Sequence, residues 1–295
     1  MQYDGLGVDS VSWAGRTYPE IRAVGESDGS VLVVPVGSVE QHGPHMPVAT
    51  DVVLADAVAR GAAATASADD VPVLVSPPVW TGSSDHHLHW GGTITLEVAT
   101  MLTVLTQIAR SALQNGFDAI FFLNGHGGNS PIVSAATKTV GTEHPHVEVI
   151  ATTYYFLAEP VAEEIRDSRY GGMSHAGEFE TSLMLHLAPE LVREREYAVD
   201  YREEPKGGYD GAFHDFFSHG PLSVYRAADS QTGPGTTGDP TLASAEKGAA
   251  LYEFLVEELA DLLGEIATSV DDSASAECEG DSASAEREDD EVDGA

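Results

Sequence analysis

The chain has 295 residues and 42% hydrophobic content, enough for a large core in one or two domains. It carries 48 acidic residues against 14 Lys and Arg, a formal net charge of -34. That balance argues against nucleic acid as a partner, whose phosphates need a basic surface, and disfavours anionic membranes.

Residues 1–30 read as a lead-in, with a small helix around Thr17 to Ile21. Val31 to Val36 is a continuous apolar run rich in β-branched residues, which predicts a strand buried on both faces. Thr50 is an expected N-cap for an Ala-rich helix that opens with Asp51 and runs to about Ala66. VPVLVSPPV, from Val71, predicts a second strand that its prolines end near Ser76. The polar, Gly-rich TGSSDHHLHWGGTIT reads as a loop, and Leu96 to Gln114 as a helix stopped by Asn115-Gly116. A third buried strand spans Phe117 to Leu123, a helix follows from about Pro131 to Gly141, and Val147 to Tyr155 is a fourth strand. The alternation predicts an α/β fold: a mostly parallel sheet between two helical layers, α/β/α. Beyond it lie helical pieces near Pro160–Asp167 and after His175, a polar loop over 193–238, and a strong helix from Pro240 to Ile266 announced by Gly238-Asp239. The predicted domain is 1–267. Residues 268–295 are Ser, Ala, Asp and Glu, with the hexapeptide DSASAE twice, and predict a disordered acidic tail.

Three stretches carry chemistry. In VEQHGPHMPVATD, Glu40 and His42 stand two apart, so an extended backbone turns both to one side, and Asp51 follows at a helix start. Two carboxylates and an imidazole at the carboxyl end of a buried strand suit a divalent metal. NGHGGNS follows the third strand directly and places His126 at the same sheet edge, between glycines that leave room for close approach. It lacks the Lys and the spacing of a phosphate-binding loop. HAGEFETS puts His175, Glu178 and Glu180 at a helix start. Two glutamates two apart on a helix do not face the same way, so one is expected at a metal and the other in a nearby hydrogen bond.

In this order the three motifs resemble the creatininase (creatinine amidohydrolase) family, over roughly Tyr18 to Ile266. The resemblance implies a hydrolase of C–N bonds in cyclic amides or formamides, with two divalent ions per subunit, zinc or alternatively manganese or iron. It also implies a homo-oligomer, often a hexamer. By motif, Glu40, His42, Asp51 and His126 match metal ligands, with Asp51 bridging. Creatininase proper takes its remaining glutamate two residues after the NGH histidine; here that position is Gly128. The resemblance to relatives with NGHGGN implies instead the glutamate before Thr-Ser, Glu180, with Glu178 as the alternative. His175 matches the catalytic histidine, and Glu178 either a residue that supports the site from behind or an acid/base beside it. His87, Asn124, Gly127 and Gly128 fall where the resemblance places substrate contacts, while His86 and His89 read as ordinary loop histidines.

Within that reading, a cyclic amide competes with a formylaminopyrimidine nucleotide and with the C-terminus of a peptide precursor of the mycofactocin type. Peptide-cleaving relatives tend to carry Arg where Glu178 stands, which weighs against the last. Arg169 and Lys206 are the candidates to meet a phosphate. A non-catalytic metal-binding module on the same fold is the remaining alternative. The pervasive acidity reads as halophilic adaptation, since salt screens self-repulsion. A single cysteine, Cys278, excludes an intrachain disulfide. The N-terminal sequence lacks the pattern of a signal peptide and no apolar run reaches membrane-span length, so a cytoplasmic location is expected.

Overall fold

The computed structural model describes residues 9–288 except 203, 205 and 219, with backbone alone for 271–288. Helix α1 (Tyr18–Gly25) starts with a capping box in which the Glu20 carboxylate accepts from the Thr17 backbone N–H at 2.7 Å. The following elements are β1 (Val31–Val36), α2 (Thr50–Ala68), β2 (Val73–Val75), α3 (Val98–Leu113), β3 (Ala119–Asn124), α4 (Ser130–Glu143) and β4 (Glu148–Thr153). All strand pairs are parallel, in the order β2-β1-β3-β4.

The strands alternate between two cores, which is why the apolar runs are continuous. Val31, Val33, Phe121 and Leu123 face a layer that contains Leu54, Leu183 and Leu255. Leu32, Val34, Ile120 and Phe122 face one that contains Met101, Leu105, Ile132 and Val133. The first layer is α2 with α7 (Glu178–Leu187) and α8 (Ala245–Glu288); the second is α3 with α4. Short helices α5 (Tyr154–Leu157) and α6 (Glu159–Ile165) lead from β4 towards α7. The expected α/β/α sandwich is present.

Three expectations need correction. Thr50 lies inside α2 and not at its cap, because its hydroxyl donates to Pro47 O at 2.7 Å and closes a turn that runs into the helix. Asp239 caps only a single turn, Pro240–Leu242; α8 begins at Ala245, where Ser244 Oγ accepts from Lys247 N at 3.2 Å. The α8 backbone also continues through 268–288, which the sequence reading assigned to the disordered tail. No proline or β-branched residue interrupts 271–288. Residues 289–295 of that tail lie outside the described residues.

From β1 the chain crosses to β2 on one side, and from β3 it crosses to β4 on the other. The topology therefore switches between β1 and β3, where a cleft opens beyond the strands' carboxyl ends. Both metal-type motifs emerge there.

Candidate active site

Each ligand candidate is aimed by the loop that carries it. After β1, Glu40 and His42 are both buried. His42 Nδ1 lies 3.1 Å from the Glu40 carbonyl, so Nδ1–H donates there and the lone pair of Nε2 turns into the site. After β3, His126 is turned the other way round. Its Nε2 sits 3.2 Å from Ser83 O and 3.1 Å from Ser84 Oγ, which leaves Nδ1 facing inward. Asp51 stands in the first turn of α2 with one oxygen towards each histidine. Oδ1 is 3.1 Å from His42 Nε2 and Oδ2 is 3.3 Å from His126 Nδ1. Gly125 permits this approach, since a Cβ there would meet Asp51 O at 2.6 Å.

Glu40 Oε1 lies 3.2 Å from His126 Nδ1. Glu180 anchors Oε2 on the Ala176 N–H at 2.7 Å and points Oε1 at His42 Nε2, 3.8 Å away. Ala176 takes a left-handed φ of 55°, a conformation held at some cost that turns the chain sharply between His175 and α7. The result is two sets of three donors that share Asp51: Glu40 and His126 on one side, His42 and Glu180 on the other.

The electrostatics call for cations. Glu40, Asp51 and Glu180 are three buried carboxylates in one cluster. Burial alone would raise Glu40, yet the His126, His87 and His175 imidazoles hold its pKa well below the usual range. Burial likewise lowers His126, but Glu40 and Asp51 outweigh it and lift the imidazole to about 10. Burial raises Glu180, against the pull of His42. Glu40 Oε2, His42 Nε2 and Asp51 Oδ2 are buried without a hydrogen-bond partner. Orphaned polar atoms of this kind require a partner. A mixed nitrogen and oxygen set with shared carboxylate suits two divalent ions of the zinc or manganese type, so the residues fit the implied metals.

Above the ligands lie His175 and His87. Gln41 holds both, and its own amide orientation is settled because Oε1 accepts from Gly43 N at 2.9 Å. Its Nε2 then donates to Gly235 O at 3.0 Å and to His87 Nδ1 at 2.7 Å. His87 Nε2–H is thereby directed at Glu40 Oε1, 3.5 Å away. His175 Nε2–H donates to Gln41 O at 2.8 Å, which leaves Nδ1 on the cavity side, 3.4 Å from Glu40 Oε1. The cavity measures about 830 Å³ and is lined by the cluster, Gly127, Gly128, Tyr155 and residues of the 202–237 loop.

The structure thus brings together Glu40, His42, Asp51, His126, Glu180, His175 and His87. It does not bring Glu178 with them. That carboxylate is buried on the far side, where it accepts from the backbone N–H of Asp167 and Ser168 at 3.0 and 2.9 Å and pairs with Lys247. An acid/base role for Glu178 is therefore not supported. One glutamate binds the cluster and the other hydrogen-bonds nearby, as the helix geometry requires. Asn124 does not line the cavity either; its amide donates to His126 O at 2.7 Å and Thr153 Oγ1 at 2.9 Å, and it accepts from His126 N at 3.1 Å. Its task is to shape the His126 turn. Arg169 stacks over the Tyr201 ring at 4.2 Å and lies outside the cavity, whereas Lys206 lines it.

Three participants were not assigned from sequence. Gln41 sits inside the first motif but reads as a spacer. Ser84 is one of many loop serines. His86 lines the cavity with its ring stacked 5.7 Å from His126, whereas His89, 3.3 Å from Asp229, is the ordinary loop histidine expected.

The creatininase family, described as creatinine amidohydrolase, matches residues 14–263. The mycofactocin precursor peptide peptidase of Mycobacterium tuberculosis is 32% identical, over 82% of this chain and 91% of its own. The creatinine amidohydrolase of Pseudomonas putida is 30% identical, over 84% and 94% respectively. Among solved structures, a manganese form of creatininase superposes with a TM-score of 0.73 at 28% identity, covering 87% of this chain and 98% of its own. The chain belongs to the creatininase family of hydrolases.

Proposed function

We propose that this hydrolase is a two-metal amidohydrolase. The observation that carries the proposal is the Asp51 carboxylate, whose two oxygens address two histidines that each belong to a separate donor set. Zinc is the first candidate, with manganese or iron as alternatives. Glu40, His126 and Asp51 would hold one ion, and His42, Glu180 and Asp51 the other. Bound there, two divalent ions supply an activated water at neutral pH and a Lewis acid for the amide carbonyl.

The chain's own side chains do the rest. His175 presents an unprotonated Nδ1 to the cavity, so that atom can take the proton of the attacking water and pass it to the leaving nitrogen. An amide nitrogen is a poor leaving group, so this proton is worth on the order of a hundredfold or more. Gln41 fixes the ring through its carbonyl. His87 Nε2–H steadies Glu40. Gly127 and Gly128 keep the cavity floor open for a planar amide.

Of the three substrate readings, the cavity favours the extended ones over a compact cyclic amide. About 830 Å³ is at the upper end of small-molecule sites, more than a compact lactam fills. That supports a peptide end of the mycofactocin type, or another extended amide, over creatinine. Glu178 lies outside the cavity, so the Arg found there in peptide-cleaving relatives does not weigh against this. A hydrolysis screen in high salt, with added zinc or manganese, over lactams, formamides and short peptides tests the reading. Turnover of peptides or extended formamides, but not lactams, is expected; a protein that holds two ions and hydrolyses none of them would contradict it. Assembly as a homo-oligomer, up to a hexamer, is part of the proposal and is read by light scattering at the same salt.

A further inference from the structure

We propose that the outer wall of the cavity is an anion subsite in which Arg202, Lys206 and Arg226 receive a carboxylate or phosphate carried by the substrate. The proposal rests on the hydrolase reading for what the bound molecule is, but not for the subsite itself.

The distribution of positive charge is the starting point. The chain has only 14 basic residues against 48 acidic ones, and three of them line this one cavity. Five of the others are paired with carboxylates. Arg22 pairs with Glu26, Arg60 with Asp9 and Asp56, Arg110 with Glu143, Arg166 with Glu163 and Asp215, and Lys247 with Asp167 and Glu178. Among the described residues, none of the three in the wall has a carboxylate partner. Arg226 donates only to the neighbouring Tyr225 carbonyl at 2.9 Å, and Arg202 only to His214 O at 3.5 Å. Arg202 Nε is buried with no hydrogen-bond partner. Where acids outnumber bases this heavily, three unpaired cations on one wall are an arrangement that an anionic ligand would complete.

Three carboxylates around the cavity are already engaged. Asp215 is held by Arg166 at 2.7 Å, Asp85 accepts from Tyr225 Oη at 2.9 Å, and Asp229 sits 3.3 Å from His89. The three cations crowd one another: burial, then the like charges of Arg202 and Arg226, push the Lys206 amine down. His86, whose ring stacks on His126, lines the cavity together with Lys206, so the wall and the metal cluster face the same space. Phe213, Phe216 and Leu222 complete the wall and suit an apolar stem between the anion and the amide. In a protein of net charge -34, such a local positive surface also counters the long-range repulsion that an anionic substrate meets.

The test uses the metal-loaded full chain at one fixed KCl concentration and three probes on one scaffold. These are N-formylphenylalanine, its phosphonate analogue and its neutral primary amide. Calorimetry gives Kd, and formate release gives kcat/KM in the same samples. At least one anionic probe should bind about tenfold more tightly than the neutral one, the rough scale of a charged hydrogen bond in a half-buried, salt-screened site. A carboxylate preference points to a peptide or amino-acid end, a phosphonate preference to a phosphate ester. In the double variant Lys206→Gln, Arg226→Gln the preference should collapse, and in Lys206→Arg it should survive. Equal or undetectable binding of all three probes overturns the subsite. So does a preference that persists undiminished in the double variant, because the anion then sits on the metal cluster. Hydrolysis with equal Kd values leaves the hydrolase standing without the subsite; anion-selective binding without hydrolysis does the reverse.

Discussion

Asp51 Oδ2 lies 3.3 Å from His126 Nδ1, although 75 positions separate the two residues and they enter the site from different strands. The contact spans the switch point between β1 and β3, so the fold itself brings the ligand sets together. Asp51→Asn should lose both ions, because an amide cannot share charge between two cations as a carboxylate does. His126→Ala should lose mainly one. Elemental analysis of the purified variants checks this, and an unchanged metal content in Asp51→Asn would refute bridging.

His175→Ala should keep both metals and lose on the order of a hundredfold or more in amide turnover. An ester analogue, whose leaving oxygen needs less protonation, should lose much less. Equal losses on amide and ester with both ions present would count against the proton-donor role. Loss of an ion would make His175 a ligand.

Gln41→Ala should retain metal but release His87 from its hydrogen bond and loosen the loop that carries the His175 acceptor. A kcat reduced by roughly tenfold to a hundredfold is expected, since misplaced catalytic groups cost about that much. Gln41→Glu, which keeps the shape but carries a charge, should not restore it. Wild-type kcat in Gln41→Ala would show that the clamp is idle.

Much of this site was legible in the sequence. The β1 and β3 runs, and the gathering of Glu40, His42 and His126 at one sheet edge, follow from local pattern, which determines where a strand ends and which way its next residues point. Glu180 needed the helix period to separate it from Glu178. Glu178 itself misled, since its partner Lys247 lies 69 positions away and no local rule predicts that pairing. Asn124 and Gln41 were opaque for a related reason: an amide's role depends on which way it faces. The basic wall lies in 202–226, a polar loop with no periodicity, where residue type gives no hint of a shared surface.

Glu178→Ala should therefore act on stability and not on chemistry. It leaves two backbone donors without their acceptor and Lys247 with Asp167 as its remaining carboxylate, a loss of roughly 2 kcal/mol for buried polar groups left unpaired. Thermal unfolding should shift down while the folded variant keeps its metals and its turnover. A stable variant without turnover would return Glu178 to the active site.

Removal of residues 268–295 should leave activity intact in high salt, because every ligand lies upstream of Thr268. The truncated protein should still lose stability as salt is withdrawn, since its own excess of acid remains. Inactivity of the truncated chain in high salt would contradict this.

The central claim is that two divalent ions in one cluster drive amide hydrolysis. Its most direct test is titration of chelated, inactive protein with zinc or manganese while amide hydrolysis and bound metal are measured together. Activity should rise to a plateau at two ions per chain. Hydrolysis that survives complete chelation, or a plateau reached at one ion, would contradict the account.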